Sequence, residues 1–153
     1  MKTIITFFSC LICIQLFACC NKNNEVSIIQ NNIQNTDSMK LKIIVGTNTF
    51  TATLYNNATV TAFKTRLPLT INMKELNSNE KYFDLPGNLP ANASNPGTIQ
   101  AGDLMLYGSN TLVLFYKSFS TSYNYTPTGR IDDTSGLAAA LGSGDITVTF
   151  ELQ

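Results

Sequence analysis

The chain has 153 residues, 44% of them hydrophobic, enough for one domain with a real core and too many for a disordered chain. Charged residues are only 13%, against a norm of roughly 25%, and ten Lys and Arg balance ten Asp and Glu. Zero net charge leaves no basic field for nucleic acid, and the absence of histidine excludes histidine-based triads and most zinc sites.

Residues 1–18 read as a signal peptide. Lys2 gives a short positive region, and Ile4 to Phe17 forms an apolar run. That run is shorter than the roughly 20 apolar residues a membrane-spanning helix needs. Leu16-Phe17-Ala18-Cys19 resembles a bacterial lipobox, in which cleavage before the cysteine makes it the lipidated first residue. Cys20 is the rival acceptor, and an ordinary secretory signal is the alternative. All four cysteines (Cys10, Cys13, Cys19, Cys20) fall in residues 10–20. Cys10 and Cys13 read as apolar filler of the signal, and the domain beyond has no cysteine for an internal disulfide. A lipid on Cys19 makes the membrane a partner and places the protein in the bacterial cell envelope, periplasmic or at the cell surface. More than one acyl chain would make that anchor durable. Residues 19–38, rich in Asn and Gln, read as a flexible tether.

Residues 39–153 form the domain. Leu41, Ile43 and Val45 alternate with polar positions and Ile44, the pattern of a strand with one buried face. Thr47-Asn48 is read as its turn, and Phe50, Ala52 and Leu54 mark the returning strand. Asn57 fits the cap of a helix reaching about Leu67, with Val60, Phe63 and Leu67 on one face and Pro68 as its stop. Leu69, Ile71 and Met73 alternate as a third strand. Tyr82, Phe83 and Leu85 suggest a short fourth one. Pro86, Gly87, Pro90, Pro96 and Gly97 then mark a long surface loop.

Two apolar runs follow, Leu104–Tyr107 and Thr111–Tyr116, joined by Gly108-Ser109-Asn110. Strands apolar at every position are covered on both sides, so this hairpin is the expected centre of the core. A polar-aromatic tail, Lys117 to Tyr125, reads as a rim. Gly129 to Asp132 is read as a short strand end. Asp132, Asp133 and Ser135 suggest the acidic start of a second helix, with Leu137 and Leu141 on its face and Gly142 as its end. Ile146, Val148 and Phe150 define a last strand. About eight short, hairpin-linked strands and two short helices argue for a mainly β domain and a closed barrel.

This order resembles the small bacterial cyclophilin-like domains. The likeness runs from Met39 to Leu152. It is most specific at Leu67-Pro68-Leu69, at Gly102-Asp103 with the hairpin after it, and at Thr128-Gly129-Arg130-Ile131. It implies an eight-stranded barrel with two flanking helices. Cyclophilins proper are peptidyl-prolyl isomerases whose site uses an arginine, a glutamine, apolar aromatics, and commonly a tryptophan and a histidine. This chain has no tryptophan, no histidine and only two arginines, Arg66 and Arg130. The resemblance therefore carries over the fold and no catalytic residue.

No metal or cofactor is expected. Asp132-Asp133 reads as a helix cap rather than a cation site, and Asp84, Asp103 and Asp145 are isolated. The glycines around Ser143 open no helix, so a phosphate loop is not indicated. One constellation remains: Tyr82, Phe83, Phe115, Tyr116, Phe119, Tyr123 and Tyr125 around a groove, with Arg130 at its edge. Aromatics carrying hydroxyls suit a peptide or small ligand. The plain alternative is that these side chains only cover the barrel's outer face. Three functions stay open: a non-catalytic binding module, a weak prolyl isomerase, or a structural envelope protein. The oligomeric state is not readable from the chain.

Overall fold

The structure, a computed structural model, describes residues 39–153. The expected signal peptide, tether and lipid acceptor Cys19 lie outside the described residues. The first hairpin is β1 (Lys40–Val45) and β2 (Asn48–Leu54), with Leu41, Ile43, Val45, Phe50, Ala52 and Leu54 buried. Its turn is Gly46-Thr47, one residue earlier than the sequence suggests, because Val45 pairs with Asn48. Gly46 sits at φ 58°, the positive value that two-residue hairpins need to match the strand twist.

Helix α1 (Ala58–Lys64) starts where Asn57 Oδ1 accepts from the Val60 N–H at 2.9 Å. It ends before Leu67, because Thr65 already closes the last turn and Pro68 follows. Leu67 still packs against the core, and Phe63 lies edge-on to Phe150, with ring centroids 6.2 Å apart. Strands β3 (Leu69–Leu76) and β4 (Glu80–Asp84) flank a turn in which Asn77 and Ser78 take φ of 57° and 56°.

The apolar hairpin is β6 (Asp103–Tyr107) and β7 (Thr111–Phe115), preceded by the two-residue β5 (Thr98–Ile99) and followed by the two-residue β8 (Phe119–Ser120). Strand β9 (Tyr125–Ile131) is longer than the sequence indicates. Its buried Thr126 and Thr128 hide it from a hydrophobicity pattern; Thr128 Oγ1 donates to the Leu104 carbonyl at 2.6 Å, which satisfies the hydroxyl inside the protein. Helix α2 (Leu137–Leu141) and β10 (Ile146–Leu152) complete the fold.

Eight strands close into an antiparallel barrel in the order β1-β10-β3-β4-β7-β6-β9-β2, while β5 and β8 form a separate two-stranded ribbon. Mainly β, with a closed barrel and two short helices, the architecture agrees with the sequence expectation. Alternation splits the apolar hairpin between two clusters. Leu104, Leu106, Leu112 and Leu114 fill the barrel interior. Met105, Val113 and Phe115 join Ile99 and Tyr125 outside it, with Phe119 packed against them. That second layer is why both faces of the hairpin are apolar. Each fully buried side chain of this size contributes about 1.5–3 kcal/mol.

The Pro- and Gly-rich loop before β5 is pinned rather than loose. Arg66 donates to the carbonyls of Gly87 and Asn88, each at 3.0 Å, and Thr59 Oγ1 to that of Pro90 at 2.6 Å. Asp132 and Asp133 do not cap α2. Asp132 pairs with Lys40 and accepts from Thr53 Oγ1 at 2.6 Å, while Asp133 Oδ1 accepts from the Ser135 N–H. Gly136, at φ 78°, stands at the N-cap without any side-chain bond. These partners hold both carboxylates below the usual range: for Asp132 chiefly the Thr53 hydroxyl, for Asp133 chiefly the Ser135 backbone.

Candidate functional site

Strand parity decides which aromatics meet. Across β4 and β7, Glu80 pairs with Phe115, Tyr82 with Val113, and Asp84 with Thr111, all on the outer face. Lys81 and Phe83 pair with Leu114 and Leu112, which face inward. A cavity of about 510 Å³ lies over the outer face, in the range of roughly 300–1,000 Å³ common for small-ligand sites. Tyr82, Phe119, Tyr123 and Tyr125 line it, with the β3–β4 turn, Glu80, Asp84, Tyr107 and the hydroxyls of Ser120, Thr121 and Ser122.

Four of the eight expected residues lie elsewhere. Phe83 packs against the barrel core. Phe115 is fully buried beneath the site, its ring 5.7 Å from Phe119 and 5.5 Å from Tyr125. Tyr116 turns inward, and its hydroxyl donates to Glu75 at 2.9 Å; burial first, and then that bond, push its pKa up to about 12. Arg130 is not on the cavity edge. Its Nε donates to Asp103 Oδ1 at 2.6 Å, a bond that raises its pKa, and Asp103 Oδ2 accepts from the Gln100 N–H. The pair fixes the turn into β6, and the rest of the guanidinium stays exposed outside the cavity lining.

Among the cavity residues that the sequence reading missed are Tyr107 and Glu80. Tyr107 stands at 5.5 Å from Tyr125 and 6.1 Å from Tyr123, ring to ring. Its outward parity with Met105 was the available signal. Glu80 opens β4, two residues before the strand that Tyr82 and Phe83 suggest. Only 8% exposed, it has no hydrogen bond or ion pair among the described residues. Burial, and secondly the charge of Glu75, push its pKa up to about 7. Its charge in turn contributes to raising the pKa of Tyr125, where burial is the larger cause.

Behind the cavity wall, inside the barrel, Lys81 is completely buried. Its ammonium pairs with Glu75 and donates to the carbonyls of Gly142 at 2.9 Å and Gly144 at 2.6 Å. Those contacts explain how a lysine is tolerated there: every donor has a partner.

The cavity thus offers aromatic faces, hydroxyls and carboxylate acceptors, and no Lys or Arg lines it. Such groups can stack against apolar rings and accept or donate hydrogen bonds. Among the described residues no cluster of His, Cys, Asp and Glu suited to a metal ion is found.

A solved structure similar to this one is the solution structure of the hypothetical protein AF2241 from Archaeoglobus fulgidus, with a TM-score of 0.52 and 18% identity over 76% of this chain and 95% of the other. At that identity the likeness establishes the fold alone. No curated protein matches the chain. The family model described as the cyclophilin-like family matches residues 43–151, well over half of the sequence and nearly the whole barrel. The chain belongs to the cyclophilin-like family.

Proposed function

We propose that this protein is a lipid-anchored bacterial envelope protein whose barrel binds a small ligand or peptide segment at its outer aromatic cavity, without isomerase chemistry. The observation that carries the binding role is the convergence of Tyr82, Tyr107, Phe119, Tyr123 and Tyr125 on one cavity. The absence of histidine and tryptophan, and the position of Arg130 outside the cavity lining, favour binding over catalysis. The anchor rests on the Leu16-Phe17-Ala18-Cys19 string.

Titration with tetrapeptides and aromatic fragments, followed by amide shifts, tests the binding role. Shifts are expected at Tyr107, Tyr123 and Tyr125. Their absence across the panel would favour a purely structural envelope role. Proline cis/trans exchange in the same tetrapeptides should stay uncatalysed; catalysis abolished by Tyr123→Ser would replace the binding role with an isomerase. Labelled palmitate should enter the wild type and not Cys19→Ser. Labelling retained in that variant would move the acceptor to Cys20 or remove the lipoprotein reading.

A further inference from the structure

The charge pattern of the cavity is one-sided. Glu80 is more than nine-tenths buried, points its side of β4 into the cavity lining, and has no donor. Asn79, also in the lining, keeps its Oδ1 shielded from solvent with no hydrogen-bond partner. Buried acceptors are ordinarily satisfied, and each exception calls for an explanation. Asp84 adds a second carboxylate at the same wall, held by the Thr111 hydroxyl at 2.6 Å. Unmet needs in this cavity are therefore for donors and positive charge. The surrounding tyrosine and phenylalanine rings add their own preference, since a cation is attracted to an aromatic face.

Building on the aromatic-cavity reading above, we infer that the site selects ligands that carry a primary ammonium group beside an apolar body. The ammonium pairs with the Glu80 carboxylate, while the apolar part rests against Tyr82, Phe119 and Tyr125. An uncharged peptide segment brings N–H donors at most and leaves the Glu80 charge unpaired. An ammonium supplies three donors and the charge.

Binding of this kind is tied to the protonation of Glu80. The titratable groups near it are Glu75 on β3, Asp84 and Tyr82 on β4, Tyr107 on β6, Tyr123 in the connection to β9 and Tyr125 at its start. Lys74, on the same face of β3 and opposite Tyr82, is exposed and outside the lining; Lys81 faces the barrel interior. With no cation in the lining, an incoming ammonium must compete with a proton for the carboxylate. The ammonium's advantage over a neutral group therefore shrinks as pH falls through 7.

The test compares phenethylammonium with 2-phenylethanol, which differ in the group that meets Glu80. Each is titrated calorimetrically into the full chain in a nonionic detergent, with the detergent-only heats subtracted. At pH 8 the ammonium compound is expected to bind at least about tenfold more tightly, the scale of a charged hydrogen bond formed away from water. That preference should largely vanish at pH 5 and in Glu80→Gln. It should persist in Glu151→Gln, whose carboxylate belongs to a pair with Lys42 outside the cavity. Equal binding of the two compounds at pH 8, or a preference unmoved by Glu80→Gln, would overturn the ammonium inference and leave the aromatic cavity as a ligand site. Failure of both compounds to bind would overturn the inference and the aromatic-site reading together.

Discussion

Replacing Glu80 by Gln should stabilise this protein in alkaline solution and do almost nothing in acid. The folded state holds the Glu80 proton more tightly than the unfolded chain, because burial disfavours the charged carboxylate and Glu75 adds to the effect. A carboxyl raised from 4.5 to about 7 corresponds, at 1.36 kcal/mol per pH unit, to about 3 kcal/mol. Between those two pH values the folded state binds more protons than the unfolded one, so stability falls as pH rises. The penalty is absent below 4.5 and complete above 7. Glutamine has the same shape and no charge to desolvate, so Glu80→Gln should exceed the wild type by up to about 3 kcal/mol at pH 8.5 and match it near pH 4.5. The other groups with shifted pKa values, Tyr116, Tyr125, Arg130, Asp132 and Asp133, move outside that window. Urea unfolding followed by tyrosine fluorescence, usable because the chain has no tryptophan, measures the difference. A variant no more stable than the wild type at pH 8.5, or a gain that does not change with pH, would refute the argument.

Lys81→Met should cost about 3 kcal/mol or more, since it leaves Glu75 and two carbonyls without their buried ammonium; Lys81→Met with Glu75→Leu should recover much of that loss, and equal stability of the single and double variants would sink the idea. Asn57→Ala removes the cap on Val60 and a 2.8 Å bond to the Pro127 carbonyl, so chemical denaturation should report a loss of about 1–2 kcal/mol. Gly129→Ala would place a methyl 2.7 Å from the Thr53 carbonyl oxygen and 3.2 Å from Leu54 Cδ2. Backbone cannot easily yield there, so the β2–β9 pairing should open by hydrogen exchange and the melting temperature should drop, with a cost of roughly 1–3 kcal/mol.

The barrel was legible because its strands alternate cleanly. Leu41, Ile43 and Val45, or Val148 and Phe150, announce an inward face without any knowledge of their partners. The apolar hairpin was equally plain, since only a strand covered on both sides dispenses with polar positions. Less visible were elements whose polar groups are satisfied internally. Thr126 and Thr128 look like solvent-facing residues until the Leu104 carbonyl is placed beside Thr128, and Lys81 looks like a surface lysine until two glycine carbonyls surround it. The site was half legible. Local alternation predicts that Tyr82 and Phe83 cannot share a face, but which of them faces the cavity depends on the register with β7. Arg130 looked available because nothing in its neighbourhood announces Asp103, twenty-seven positions earlier, as its partner. Glu80 carried no local signal, as its isolation is a property of what folds over it.

The barrel closes through β10, which lies between β1 and β3, with Leu41 opposite Leu152 and Met73 opposite Ile146. During synthesis, β1 and β3 are made early and each keeps one edge unpaired until β10 arrives. Such edges are templates for pairing with another chain. The nascent protein therefore carries two open sheet edges for most of its translation, and loop closure of this span is slow compared with a local hairpin. Docking of β10 therefore closes both edges in a single step.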